Sequence, residues 1–286
     1  MASKGLIKRI RQLQQKKYRK QTNQFVVEGH KHIAEFLRNS QHYEAVHLIT
    51  TVESETHNTD DTDTNSSRLV VSPQDMSRMT GLSTACDALA VFQKRQGSTG
   101  EDFAKSLEKG AQVSLALDAV RDPGNLGTLI RLCDWFGMRN MLLSGDCCDC
   151  YNPKVVRATA GSLARVNVHY AAGTLHGELS GLHAPLIGAS MEGKSIYDLD
   201  LPLKKVGSDG SKSSSNGLVL VMGSEGKGLS PEVVNILDEV VSIPSYPFPD
   251  REVDASEERR IEEATESLNV AMAAGILISE IKRRLS

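Results

Sequence analysis

The sequence predicts an α/β protein of two domains, the second built on a mostly parallel sheet. Three observations lead there. A chain of 286 residues is long enough for two cores of ordinary size. Apolar runs of strand length alternate with segments of helical periodicity from one end to the other. In the C-terminal half the apolar runs are continuous, the pattern of strands covered on both faces, as parallel strands are.

The elements follow in order. Lys4, Lys8, Arg9, Arg11, Lys16, Lys17, Arg19 and Lys20 precede the first acid, Glu28, while Leu6, Ile10 and Leu13 recur at helical spacing. This predicts a basic helix with one apolar stripe, serving either as a solvated face or as an electrostatic surface for a polyanion. FVVEG (25–29) reads as a strand, HKHIAEFLRN as a helix, AVHLIT and RLVVS as strands, PQDMSRMT as a helix and ALAVFQK as a strand. Residues 1–100 should therefore form a small α/β sandwich. The acidic, Ser/Thr-rich loop at about 52–67 should be mobile.

GSTGEDFAKSLEKG (97–110) has glycine at both ends and charge in the middle, which predicts a linker, placed at 101–112. The second domain, 113–286, then runs VSLALDAV strand, LGTLIRLCDWFG helix, MLLSG strand, a helix near NPKVVRATAGSLA, and VNVHY, APLIGAS and LVLVMGS strands. SPEVVNILD helix, VVSIP strand and a last helix, LNVAMAAGILISEIKRRL, complete it. KVGSDGSKSSSNG (205–217) reads as a flexible insertion.

Composition narrows the function classes. With 40% hydrophobic and 24% charged residues the chain has the make-up of a soluble globular protein. No apolar run approaches the roughly 18 residues of a membrane span. The basic N-terminus lacks a signal-peptide core and holds a single Ser in its first twenty residues, so a cytoplasmic location is expected. Cys86, Cys133, Cys147, Cys148 and Cys150 lack the paired spacing of a zinc site, and reduced thiols with no metal are expected. The net charge of −3 hides an asymmetry: residues 52–63 and 250–266 each carry −5, leaving +7 on the remainder. A nucleic-acid surface is compatible with that balance.

Three blocks place glycines, an Asn or a carboxylate at the end of an apolar run: LALDAVRDPGNLGTLIRLCDWFG (115–137), LVLVMGSEGKGLSPEVV (218–234) and SLNVAMAAGILISEI (267–281). Strand-end loops expose backbone donors that buried strands cannot, so three such turns imply a ligand site. GSEGKG is not a phosphate loop, because its glycines are too close and Lys227 is followed by Gly228. A Rossmann fingerprint fails for want of a downstream strand with an acidic ribose partner. In the first block Asn125 stands at the expected helix N-cap, and Arg131 falls off the stripe of Leu126, Leu129, Ile130 and Cys133, free to face a strand-end cleft.

In this order the blocks resemble motifs 1, 2 and 3 of the SpoU (TrmH-like) branch of the SPOUT superfamily of RNA methyltransferases. FVVEGHKHIAEFL (25–37) resembles the N-terminal substrate-binding domain, similar to ribosomal protein L30e, found in many members. The resemblance implies a C-terminal trefoil knot, otherwise disfavoured in folds, and methyl transfer from S-adenosyl-L-methionine to a ribose 2′-hydroxyl of RNA. It also implies a homodimer joined at the knot region through the apolar faces of the motif 1 and C-terminal helices. A substrate-binding domain of this kind points to rRNA rather than tRNA.

Roles carry over by position. Arg131 matches the catalytic arginine, often described as a base. A guanidinium stays protonated in proteins, so holding a phosphate and stabilising the developing alkoxide is the easier role. Glu225 matches an acceptor that orients Asn125, Arg131 or the RNA, and Ser267 and Asn269 match polar residues near the reacting ribose. Gly223, Ile243 and Leu268 match cofactor-binding positions, Gly223 bare so that the adenosyl group approaches closely. Ala271 and Thr159 stand where the family often has serine, and the acidic segment between Pro244 and Ser267 is longer than usual. Three alternatives stay open: an inactive RNA-binding protein on the same scaffold, a tRNA 2′-O-methyltransferase, and base methylation.

Overall fold

The computed structural model describes residues 2–51, 66–95, 99–108, 113–201, 217–246 and 267–285. Nearly all of the acidic loop at 52–67, the insertion at 205–217 and the acidic segment 245–266 therefore lie outside the described residues.

The basic N-terminal stretch forms two helices, α1 (Lys4–Gln12) and α2 (Lys16–Thr22), where one was expected. Ser3 caps α1, and the break at residues 13–15 lets Leu13 turn inward with Leu6 and Ile10 onto the first sheet. That sheet has the order β1 (Gln24–Glu28), β4 (Ala88–Gln93), β2 (Ala45–Thr51), β3 (Ser67–Val71). β4 runs antiparallel to both neighbours, and β2 and β3 are parallel. Helices α3 (His30–Arg38) and α4 (Pro73–Met79) cover its two faces, as the alternation predicted.

The stretch read as a linker instead folds largely as α5 (Gly100–Glu108). Its Phe103 and Leu107 are buried against the second sheet, so their apolar spacing outweighs the flanking glycines. That sheet has the order β10 (Glu239–Ser242), β8 (Leu186–Ser195), β9 (Leu218–Met222), β5 (Val113–Leu117), β6 (Asn140–Leu143), β7 (Asn167–Tyr170). Every pairing in it is parallel. Residues alternate between two cores: Val113, Leu115 and Leu117 pack on one face, and Ala116 on the other. The same holds in β9 for Leu218, Leu220 and Met222 against Val219 and Val221. Both faces are dry, which is why these strands read as unbroken apolar runs.

α6 (Pro123–Trp135), α7 (Pro153–Ala158) and α10 (Val270–Leu285) cover the first face, and α5, α8 (Leu175–Ser180) and α9 (Pro231–Val234) the second. α8 was not foreseen, and α9 is shorter than the segment SPEVVNILD. The chain runs outward from β5 through β6 to β7, then returns to lay β8 and β9 on the other side of β5. The direction of winding therefore reverses between β5 and β9, and a crevice opens beyond their C-terminal ends. The connection from β10 to α10, on which the implied knot depends, runs through residues 247–266 outside the described ones. No helix among the described residues is long and apolar enough to cross a membrane.

The two domains are bolted together. Buried Glu28 of β1 pairs with Arg157 of α7 at 2.8 Å, and its other oxygen accepts from Thr80 Oγ1 at 2.6 Å and Gly81 N at 2.9 Å. Tyr151 packs at a tilt against Phe25 with centroids 4.6 Å apart, and Tyr43 donates to the Leu163 carbonyl at 3.1 Å. Arg19, counted from sequence among the surface cations, is buried: it donates to Asp149 Oδ2 at 2.7 and 3.0 Å and to the carbonyls of Leu13 and Gln14. The DCCDC loop supplies that aspartate. Its cysteines are free thiols, and burial pushes the pKa of Cys147, Cys148 and Cys150 up, which favours the thiol over the thiolate. Among the described residues no cluster of three or more metal-ligating side chains forms.

Candidate active site

At the end of β5 the chain leaves the sheet through Asp118 and Ala119. Asp118 donates its N–H to the Met222 carbonyl at 2.9 Å and accepts from Ser230 N at 2.7 Å, tying the β5 exit to the loop after β9. Ala119 takes φ +55°, a left-handed conformation uncommon outside glycine, held by its N–H donating to Ser144 Oγ at 2.9 Å. α6 then starts with Pro123 in its first turn and Asp122 as its cap.

This corrects the sequence reading of Asn125. Its N–H donates to Asp122 Oδ1 at 2.8 Å, so the cap is three residues earlier and the Asn125 side chain is released for other work. Asn125 Nδ2 donates to Glu225 Oε1 at 2.9 Å, while its Oδ1 accepts from Asn269 Nδ2 at 2.9 Å. Asn269 Nδ2 also donates to Glu225 Oε1, and Val270 N reaches the same oxygen at 3.4 Å. One carboxylate oxygen thus gathers a residue from each of the three glycine or asparagine turns.

The loop bearing Glu225 is a tight one. Ser224 and Gly228 exchange backbone hydrogen bonds of 3.0 and 2.8 Å, and Gly228 has φ +65°. Gly223 has a structural reason to be bare: a Cβ there would meet the Gly228 carbonyl carbon at 2.1 Å. The chain's own backbone fills that space. Together these loops line a cleft of about 240 Å³ with Val120, Arg121, Asp122, Asn125, Glu225 and Lys227 on its walls.

Arg131 lies six residues beyond Asn125 on α6, exposed and without an ion partner among the described residues. It sits on the rim of an open apolar groove of about 880 Å³ between α6 and α10, which Asn269 also lines. Asn269 thus belongs both to the amide–carboxylate cluster and to this groove, whereas Arg131 lines the groove and not the strand-end cleft it was expected to face. Ser267 is exposed and makes no hydrogen bond to this cluster among the described residues. Leu268 follows it with 43% of its surface exposed. Ile243 stands half-buried just past β10, two strand spacings, about 10 Å, from β9. Ala271 joins the groove, whereas Thr159 is fully buried and donates to the Val156 carbonyl at 2.7 Å, so a serine there would keep the same bond.

Asp118, Asp122 and Ser144 were missed as positioning groups. The only signal for them was a polar residue at the end of each apolar run.

Comparison with known proteins agrees with this architecture. The SpoU rRNA Methylase family model matches residues 112–250, and the MRM3-like substrate binding domain model matches residues 4–90. A TrmH-family protein of known structure from Porphyromonas gingivalis is 31% identical, with a TM-score of 0.76 over 99% of both chains. The structure of an rRNA methyltransferase from Sinorhizobium meliloti with AdoMet bound is 26% identical, with a TM-score of 0.77 over 100% of this chain and 98% of that one. The 23S rRNA (guanosine(2553)-2′-O)-methyltransferase RlmP of Bacillus subtilis is 26% identical over 96% of this chain and 95% of its own. Other curated relatives are longer, and the chain spans 47–58% of their length. With the family model on its second domain and a 31% identical relative matched end to end, the chain belongs to the SpoU (TrmH) family of RNA methyltransferases.

Proposed function

We propose that this protein is an S-adenosyl-L-methionine-dependent RNA 2′-O-ribose methyltransferase acting on ribosomal RNA, as a homodimer, in the cytoplasm. The observation that carries the reading is the convergence of Asn125, Glu225 and Asn269 at the β5–β9 crevice with an unpaired arginine alongside. RlmP, similar along almost the whole chain, carries the same reaction and RNA class in its name.

The residues present fit the cofactor. Leu268, a large apolar side chain exposed among polar neighbours, and half-buried Ile243 offer apolar surface that a flat purine would cover. The backbone of the 223–228 loop would hold the rest. Bound there, S-adenosyl-L-methionine supplies an electrophilic methyl on a sulfonium that leaves as a neutral thioether.

Arg131 would grip the phosphate next to the target nucleotide and stabilise the charge that develops on the ribose oxygen as its bond to the methyl carbon forms. The proton leaves to phosphate or water, because a guanidinium is a poor base. Asn125 and Asn269, held by Glu225, fix the wall against which the ribose is oriented. No step in this scheme calls on a metal ion.

The groove between α6 and α10 supports the homodimer. Trp135 is 83% exposed and Met272 61%, large for a face meant to stay wet. A second copy on it would also close the site over Arg131. The C-terminal threading belongs to the same proposal.

The test is methylation of ribosomal RNA by the purified protein with labelled cofactor, followed by nucleoside digestion. A 2′-O-methylated nucleoside from wild type and none from Arg131→Ala, with cofactor binding retained, is the expected result. A methylated base, or full activity in Arg131→Ala, would overturn the reading.

A further inference from the structure

The seven exposed cations of the N-terminal helices are not scattered. Lys4, Lys8, Arg9 and Arg11 lie on α1 and Lys16, Lys17 and Lys20 on α2, all exposed, with no acid in the first 27 residues. None of them has an ion partner among the described residues. Like-charge crowding of this kind costs stability unless something relieves it.

α2 is also held in one place. Its remaining cation, Arg19, is buried and fixes the helix to Asp149 through two hydrogen bonds. A buried pair of this kind adds little net stability and is better at specifying position. The position it specifies is the edge of the active-site cleft. Asp149 belongs to the loop after β6, and in that loop Cys148 N donates to the carbonyl of Val120, a cleft residue, at 3.0 Å. Two residues earlier, Asp146 pairs at 3.0 Å with Arg121, which also lines the cleft. Lys16 and Asp122, from α2 and from the cap of α6, both lie within electrostatic reach of the Cys148 thiol. Lys227 also lines the cleft.

We infer that α2 is a guide for the substrate strand: Lys16, Lys17 and Lys20 hold the phosphates of the RNA segment flanking the target nucleotide and lead it past Arg121 into the cleft of the same protomer. Lysine suits the task, since a flexible point charge follows a phosphate backbone without reading bases. Bolting α2 to the loop after β6 fixes the distance between this track and Asn125. The N-terminal helices thereby contribute to the position of the reacting ribose. The inference rests on the RNA methyltransferase reading only for what happens at the end of the track.

The experiment compares wild type, the triple variant Lys16→Gln/Lys17→Gln/Lys20→Gln, and a control, Lys105→Gln/Lys194→Gln, on exposed positions of α5 and β8. Each is titrated with a transcript of large-subunit ribosomal RNA over a salt series, and methyl transfer and cofactor binding are measured in parallel. The α2 variant should bind roughly tenfold or more weakly near physiological salt, with the log–log salt slope reduced by about two units, as loss of two or three phosphate contacts requires. Its melting temperature and cofactor affinity should match wild type, and its methylation defect should lie in KM. The control should bind as wild type does.

Equal loss in the control, or an α2 variant that binds and methylates like wild type, would overturn the guide while leaving the methyltransferase reading intact. RNA binding that depends on α2 without any methyl transfer by wild type would do the reverse. Failure of wild type to bind RNA at all would remove both, and would leave α2 as a docking face for an acidic protein.

Discussion

Glu225 Oε1 accepts the side-chain amide of Asn125 at 2.9 Å across a separation of 100 residues. The same oxygen takes Asn269, so one carboxylate sets the rotamers of two amides, one lining the cleft and the other the groove beside it. Glu225→Ala should lower kcat by two to three orders of magnitude, the scale on which a misoriented site loses its advantage. Glu225→Gln keeps an oxygen acceptor and should retain an intermediate rate. Steady-state methylation kinetics of both variants check this, and equal rates for Ala and Gln would show that orientation is not what Glu225 provides.

Trp135 and Met272, both exposed, line the same open groove. Placing a charge in a desolvated interface costs several kcal/mol, so Trp135→Glu should convert a dimer to a monomer in sedimentation analysis. Activity should fall with it. A variant that stays dimeric would move the interface elsewhere.

Glu28 makes three contacts from a buried position, one of them to Arg157 in the other domain. Removing it leaves that guanidinium without its buried partner. Glu28→Ala should destabilise the fold by about 3 kcal/mol, read as a shifted denaturation midpoint. Loss of cooperativity between the domains should accompany it.

Burial pushes the pKa of His169 down to about 4. It packs edge-on to Phe103 and reaches Asn140 through its ring. In the unfolded chain the ring takes up a proton near pH 6.5, and in the folded chain it resists until about 4. The unfolded state therefore binds more protons in this window, so stability falls as pH drops from about 6.5 toward 4 and levels below it. His169→Gln should flatten that part of the melting temperature against pH, and an unchanged slope would assign the acid sensitivity to other groups.

The sequence was most legible where one physical signal dominated. The unbroken apolar runs of β5, β6 and β9 announced a sheet buried on both faces, and the polar turns read after β5 and β9 do meet, joined by Asn269 from the start of α10 rather than from a strand end. α5 was misread because the glycines flanking it resemble a linker, while Phe103 and Leu107 bury only once a sheet exists to receive them. Asn125 was misplaced at the cap because Asp122 and Pro123 together form the start, a choice that one residue type cannot reveal. Arg19 looked like its neighbours, since nothing local in KKYRK distinguishes a buried guanidinium whose partner is 130 residues away. That Gly223 must be bare to let its own loop pack against it could not be read locally, since the contact is with Gly228 across the turn.

The pairing of Asn125 with Asn269 also sets a timetable. These two are 144 positions apart, so at about 5–20 residues per second a ribosome needs roughly 7–30 s between making one and the other. For most of that interval, until β9 is made, β5 has no neighbour on its β9 side, while the N-terminal domain, whose strands pair within the first hundred residues, has all it needs to fold. A newborn copy thus has its first sheet ready well before the cluster of Asn125, Glu225 and Asn269 can close.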